Sequence, residues 1–490
     1  MRSGWLWSVL LLSSVLSFAQ AKYSELYRPQ YHFSPPQNFM NDANGMLFFR
    51  GEYHLFYQHN PEGNVWGHMS WGHAISTDMM HWRNLPVAIP EHKDYMIFSG
   101  SAVVDEHNMS GLCGKKPCLV AMYTAHTEGW QRQNIAYSFD RGRTWKDYVG
   151  NPVIDEKKPD FRDPKMFWYA PQKKWVVVTV FADERLARFY ESHDLKHWKF
   201  LSDFGPADTT EGQWECPDLI ELPVEGTNKK KWVLIISRNP GAPQGGTGIQ
   251  YFVGNFDGTK FSSETPGSQK MWVDYGKDFY ATQRFPKLPA QDKRIIWMGW
   301  LDNWRYANQE PTSPWRGVQS IPREMFLLKC EQGYCLGQRA VKELNSLRGA
   351  PLRLTLENGA AGALMTTASF ELEGEVSSNK ETKIVITDVN KSSISLGYDP
   401  TTKELYIDRT MSAEAQLSPD FPGRHSVTLT AGSKLKLHVF VDQTTLELFA
   451  NDGARVMSDR VYLVAPLLEI HITSDPSGNF QVWPMKSIWR

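Results

Sequence analysis

Three carboxylates stand in settings suited to chemistry. Asp42 lies in Asn38-Phe39-Met40-Asn41-Asp42-Ala43-Asn44-Gly45, just ahead of the apolar run Met46-Leu47-Phe48-Phe49. Asp163 lies in Phe161-Arg162-Asp163-Pro164, and Glu215 in Trp214-Glu215-Cys216-Pro217-Asp218. Carboxyls brought together can divide labour, because burial and like charge raise one pKa while hydrogen bonds hold another down. One then donates a proton at the pH where the other is ionised. Asn44-Gly45 tolerates φ > 0 and reads as a two-residue hairpin turn, which puts Asp42 at a strand edge beside it. Pro164 disfavours the helical region for Asp163 and predicts an extended backbone there, and Pro217 predicts the same around Glu215. Arg162 can keep its neighbour ionised or bind a substrate hydroxyl. Taken singly, each acid is an ordinary turn or strand-end residue among 54 Asp and Glu.

The elements that must position these acids read as all-β. From residue 28 to about 335 the chain alternates short strands with turns, as in Tyr53-His54-Leu55-Phe56-Tyr57 and Trp175-Val176-Val177-Val178-Thr179-Val180. Long helical periodicity is missing. A degenerate repeat runs through this part. Ser76-Thr77-Asp78 precedes Trp82, Ser138-Phe139-Asp140 precedes Trp145, and Ser192-His193-Asp194 precedes Trp198, with the tryptophans 63 and 53 residues apart. Strand, Asp turn, then strand with Trp at that period fits a four-stranded propeller blade, and about 300 residues hold about five of them. The carboxylate motifs fall at comparable spacing, as expected if blades converge on one axis. Near residue 340 the composition changes. Lys342 to Arg353 reads as a short helix or linker, and regularly spaced strands beyond it predict a β-sandwich. The expected order is residues 1–21 as a signal peptide, 22–340 as a five-bladed β-propeller, and 341–490 as the sandwich. Asp442 and Glu447 read as surface or interdomain residues.

Composition narrows the function classes. The chain has 490 residues and a net charge of −1, so no global field draws it to nucleic acid or acidic membranes. Aromatics reach 13%, with 19 Trp, which suits either stacking on sugar rings or a large β core. Arg2, the apolar run Trp5 to Leu16 and Ala19-Gln20-Ala21 form a secretory signal pattern too short to span a membrane. Five cysteines agree with an oxidising compartment. Two local disulfides, Cys113–Cys118 and Cys330–Cys335, are the simplest pairing, with a four-thiolate zinc site as the alternative. Cys216 is left over, as either a small buried hydrophobe or a thiol that tunes Glu215. His-Glu-x-x-His and Gly-x-Ser-x-Gly are absent, and Gly245-Gly246-Thr247-Gly248 lacks the Lys-Ser/Thr of a phosphate loop.

The ordered set of motifs resembles glycoside hydrolase family 32, the β-fructofuranosidases: invertases, inulinases and levanases. The family's Asn-Asp-Pro-Asn-Gly motif appears as Asn41-Asp42-Ala43-Asn44-Gly45, its Arg-Asp-Pro as Arg162-Asp163-Pro164, and its Glu-Cys as Glu215-Cys216. His54-Leu55-Phe56-Tyr57-Gln58, Trp66-Gly67-His68, Phe98-Ser99-Gly100-Ser101, Asp278-Phe279-Tyr280-Ala281 and Gly299-Trp300 match further stretches. The resemblance covers nearly the whole chain from about Tyr27. It implies a five-bladed propeller with a C-terminal sandwich. It implies Asp42 as nucleophile, Glu215 as acid/base and Asp163 as transition-state stabiliser. It also implies Asn41, Gln58, Trp66, Ser101, Arg162 and Tyr280 as fructose contacts, although Trp66 and Tyr280 also suit core packing. The activity implied is release of terminal β-D-fructofuranose from sucrose or fructans, by a secreted retaining hydrolase that needs no metal or organic cofactor. An exo-inulinase or levanase, a fructosyl transferase and a silent fructan-binding protein are the alternatives, and the last should have lost a carboxylate.

One departure stands out, because Ala43 replaces the proline that follows the family's nucleophile. Alanine removes a backbone restraint and no charge. Ala43→Pro is expected to be neutral or to stabilise by up to ~1 kcal/mol through unfolded-state entropy. A melting temperature lowered by several degrees would show that this turn differs from the family's.

Overall fold

The computed structural model describes residues 23–207, 211–265, 270–331, 333–464, 466–476 and 478–489. The signal-like stretch 1–21 lies outside them. Residues 38–340 form five sheets around one axis. Each begins with an innermost strand: Asn38–Phe49 in blade I, Met96–Asp105 in II, Phe161–Tyr169 in III, Gln213–Pro223 in IV and Tyr280–Arg284 in V. The ring closes by parallel pairing of Trp315–Arg316 with the first of these strands, Asn38 opposite Trp315. Two six-stranded antiparallel sheets follow, with their apolar faces packed into one core of Leu, Ile and Val. Between propeller and sandwich stands a 3-10 turn, Lys342–Leu347, and the first sandwich strand is Leu352–Thr355.

The Ser-x-Asp repeat is the turn between the third and fourth strands of blades I to III. Asp78 accepts the Met80 and His81 N–H groups, and Asp194 accepts those of Lys196 and His197. Asp140 accepts Thr144 N–H. A short carboxylate that satisfies backbone donors two to four residues on reverses the chain with no other help. The disulfides are Cys113–Cys118, which clips a loop of blade II, and Cys330–Cys335, which clips the last hairpin of blade V.

Two expectations about local backbone are corrected. Asn44-Gly45 makes no hairpin, because Asn38–Phe49 runs through it as one strand and the chain reverses at Arg50 and Gly51. Gly45 keeps its positive φ of 50°, inside a strand whose register with its neighbour slips twice. A Cβ there would stand 2.9 Å from Phe56 and 3.0 Å from Trp71. Asp163 is not extended either. Its φ is 64°, and Cys216, which also precedes a proline, has φ 45°. Both lie in bulges, where one residue turns left-handed so that the strand can resume its ladder.

All five innermost strands are irregular at the same level. Register slips between Met40 and Ala43, Ile97 and Gly100, Arg162 and Lys165, Glu215 and Asp218, and Tyr280 and Gln283. Each slip brackets or adjoins a residue singled out above for chemistry.

Asp442 and Glu447 are fully buried at the seam between the two domains. Asp442 accepts the N–H groups of Gln30 and Tyr31 and faces His32 Nδ1 at 3.0 Å. Glu447 accepts Ile321 N–H at 2.9 Å and the Arg323 guanidinium, which also reaches Asp274 at 3.0 Å and lies 4.0 Å over the Phe279 ring. Removing one partner of a buried pair strands the other charge. Arg323→Met is therefore expected to destabilise the chain by ~3–5 kcal/mol. Adding Glu447→Leu should recover part of that loss, read as urea midpoints in a double-mutant cycle. Simple addition of the two losses would show that the pair is not coupled.

Candidate active site

The five bulges open onto one end of the propeller axis, around a cavity of about 410 Å³. Asp42, Asp163 and Glu215 all line it. They come from blades I, III and IV, brought together across up to 173 positions of sequence (215 − 42).

Each carboxylate is held differently. Asp42 accepts Asn41 Nδ2 at 3.0 Å on one oxygen and the Ser99 hydroxyl at 2.7 Å on the other. Asp163 Oδ2 accepts the Cys216 N–H at 2.9 Å, with Arg162 Nε 3.9 Å away. Glu215 Oε1 accepts Arg162 Nη2 at 2.9 Å, and Oε2 accepts the Tyr280 hydroxyl. Arg162 is locked in turn by Asp160 at 2.9 Å and Gln213 at 2.7 Å. The Cys216 thiol lies 3.5 Å from Asp42 Oδ2 and 3.6 Å from Asp163 Oδ2. Burial, reinforced by these carboxylates, pushes that thiol far up, so it stays an S–H donor near neutral pH. With one proton it can serve only one of the two acids at a time.

Burial dominates the electrostatics. It pushes Asp42 up to about 7, aided by the charges of Asp163 and Glu215 and opposed by Ser99 and Asn41. It pushes Asp163 up to about 6, against the lowering effect of Arg162 and Cys216. Asp42 and Asp163 therefore both hold their protons to higher pH than ordinary carboxyls, Asp42 to the higher of the two.

Of the contacts expected from sequence, Asn41, Gln58, Trp66, Arg162 and Tyr280 line the cavity. Ser101 is the correction, since it is buried behind the wall. Its hydroxyl donates to Pro164 O at 2.8 Å and accepts Met166 N–H at 2.9 Å, which fills the bulge that presents Asp163. The serine that faces the acids is Ser99, two positions earlier in the same motif. The lining residues beyond the expected contacts include Phe98, His126, Trp304 and Asn308. Phe98 lies within a quoted motif, and its ring stacks on His126 at 4.1 Å and meets Trp66 edge-on at 5.9 Å. Trp304 rests on Trp300 at 4.7 Å. Nothing local marks Asn308 or His126, which reach the rim from loop and second-strand positions.

A propeller with acids converging at one end of its axis, followed by a sandwich, defines a class of sugar-cleaving enzyme. Residues 32–339 match the Glycosyl hydrolases family 32 N-terminal domain, and residues 340–484 match the family 32 C-terminal domain. The chain belongs to glycosyl hydrolase family 32 and is a glycoside hydrolase. It is 45% identical to a levanase of Bacillus subtilis (strain 168), over 95% of this chain and 72% of that one. The crystal structure of exo-inulinase from Aspergillus awamori superposes with a TM-score of 0.88 at 36% identity, covering 95% of this chain and 100% of that chain. A β-fructofuranosidase of Schwanniomyces occidentalis complexed with fructosyl-erythritol superposes at 0.85, with 32% identity over 95% and 99%.

Burial of the Asp42 carboxyl makes folding stability depend on pH. Below about pH 4 the carboxyl is protonated folded and unfolded, so burial there is harmless. The penalty grows as pH rises from about 4 and is complete above about 7, reaching roughly 4 kcal/mol at ~1.4 kcal/mol per unit. Asp42→Asn should therefore raise the melting temperature at pH 8 and change it little at pH 4. A gain of equal size at both pH values would contradict the shift.

Proposed function

We propose that this chain is a secreted retaining β-fructofuranosidase that releases terminal fructose from sucrose or fructans by double displacement. The observation that carries the reading is the convergence of Asp42, Asp163 and Glu215 on one cavity, with Arg162 and Tyr280 both on Glu215. Glu215 donates its proton to the glycosidic oxygen as that bond breaks, while the Asp42 carboxylate closes on the anomeric carbon. A fructosyl ester forms on Asp42, and the leaving sugar departs with the proton. Arg162 and Tyr280 then stabilise the Glu215 carboxylate, which takes a proton from water as its oxygen attacks the same carbon and frees Asp42. Asp163 stays ionised, bonds to fructose hydroxyls and places negative charge near the developing oxocarbenium ion. This division needs the Asp42 and Glu215 carboxyls ~5–5.5 Å apart, the retaining spacing.

The exo-acting fructanases are the second reading on substrate. A levanase and an exo-inulinase among the relatives favour it. The bound fructosyl-erythritol of the Schwanniomyces neighbour supports a sugar ligand for this cavity. The signal-like first 21 residues, the two disulfides and relatives named as extracellular exo-inulinases support secretion.

Initial rates of fructose release from sucrose, inulin and levan at equal enzyme, with Asp42→Asn as blank, test both readings. Faster release from sucrose than from either polymer would mark an invertase. Faster release from a polymer, with fructose the sole early product, would mark an exo-fructanase. Fructose appearing on a second sugar instead of in solution would mark a transferase. Wild type equal to the blank on all three would overturn catalysis and leave a binding protein.

A further inference from the structure

Loop 301–314 joins the second strand of blade V to the segment that closes the ring. Its one regular feature is a single 3-10 turn, Ala307–Gln309. Such a loop is positioned mainly by what it touches. Two of its residues, Trp304 and Asn308, line the cavity. Asn308 Oδ1 also accepts the Trp66 N–H at 2.9 Å, and Thr312 O accepts Asn64 Nδ2 at 2.8 Å, so the loop holds the neighbouring wall of blade I.

The intervening residues face the other domain. Tyr306 and Glu310 alternate with Trp304 and Asn308, and both are buried. Glu310 Oε1 accepts Arg460 Nε at 2.7 Å and the Tyr462 hydroxyl at 2.9 Å. The Tyr306 hydroxyl donates to Asp278 and accepts Arg409 Nη2 at 2.8 Å. The Tyr306 ring meets Phe421 edge-on at 5.3 Å, and the Arg409 guanidinium lies 4.0 Å over the same Phe421. Arg409, Phe421, Arg460 and Tyr462 all belong to the sandwich. Arg409, Arg460 and Tyr462 are fully buried. Every second residue from Trp304 to Glu310 is thus turned to the substrate side or to the sandwich. A shift of Glu310 is transmitted to Asn308 two positions away.

We propose that Arg460 and Tyr462, with Arg409, are positioning residues for substrate binding. Acting through Glu310 and Tyr306, they set where Trp304 and Asn308 stand on the cavity rim, so the sandwich shapes the sugar site without touching it. The inference rests on the reading of this cavity as the sugar site. If Arg460 is lost, Glu310 is left as a buried carboxylate without its cation. It must then protonate or move out, and outward movement carries the loop with it.

The test uses the full chain with Arg460→Met, Arg460→Lys and Tyr462→Phe. Tyr31→Phe is the control, because the Tyr31 hydroxyl bonds to Val441 O at 2.8 Å on the same domain seam without touching the loop. KM and kcat on sucrose and inulin are measured beside melting temperatures, and fructose Kd by titration calorimetry reads the loop separately from turnover. Arg460→Met should raise KM and Kd about five-fold and Tyr462→Phe about two-fold, with kcat within about two-fold, the pattern of lost ground-state binding. Arg460→Lys should return part of the affinity. Tyr31→Phe should lower the melting temperature and leave KM and Kd alone. KM and Kd unchanged in Tyr462→Phe and in whichever Arg460 variants fold would overturn the proposal, and so would an equal rise in Tyr31→Phe. Wild type that binds fructose without turnover would sink the catalytic reading and leave the loop comparison standing.

Discussion

A regular strand points successive side chains to opposite faces and none along its own edge toward a propeller axis. The site therefore depends on breaking that rule five times at one level. At each break the innermost strand carries two residues that do not fit the ladder of its neighbour. Asp42, Ser99, Asp163 and Cys216 fall inside such breaks, and Glu215 and Tyr280 border them. Left-handed backbone at Asp163, Cys216 and Ala281 is the strain that accompanies this arrangement. Ser101 shows how it is tolerated. Its hydroxyl donates to the Pro164 carbonyl inside the bulge of blade III and accepts the Met166 N–H just beyond it.

Burial follows from the same geometry. Bulges that aim three carboxylates at one axis also bury Asp42 and Asp163, with Arg162 as the cation beside Asp163 and Glu215. Folding therefore works against ionisation of Asp42 and Asp163, and the rest of the fold must hold the acids together. Hydrophobic cores between blades supply most of that, and the closure of blade V onto blade I supplies the ring. The thiol of Cys216 suits its place because it is a weak donor small enough to sit between two acids and too buried to ionise.

The domain seam combines an apolar cluster, in which Phe440, Phe449 and Val456 of the sandwich share a core with Met298 and Ile321 of the propeller, with several buried charges. The arm at residues 28–32 enters it and is gripped by Asp442, while Arg323 joins Glu447 to Asp274. His32 stands between both sandwich acids. Burial alone would keep it neutral, but Asp442 and Glu447 outweigh that and raise its pKa. Buried charges of this kind register the two domains in one relative position, because a slip would leave several unpaired at once. Loop 301–314 uses the same currency at the rim of the site.

Local rules made much of this legible in the chain. Proline and glycine placement, Ser-x-Asp turns, period-two apolar runs and close cysteine pairs act over a few residues, and they revealed an all-β chain, a blade repeat, a sandwich and the two disulfides. The three carboxylates were visible because the residues around them form motifs. The same local rules misled at Asn44-Gly45 and at Asp163, where a favourable turn dipeptide and a proline restraint were absorbed into bulges. Packing against Phe56 and Trp71, and the ladders to either side, outweighed the local preference. Only the tertiary structure decided that Ser99, not Ser101, faces the acids, that Trp304 and Asn308 complete the rim, and that Glu310 looks to Arg460. Glu310 and Arg460 lie 150 positions apart, and no propensity acts across such a distance. Their meeting is set by closure of the propeller and its docking on the sandwich, where the two form a fully buried ion pair.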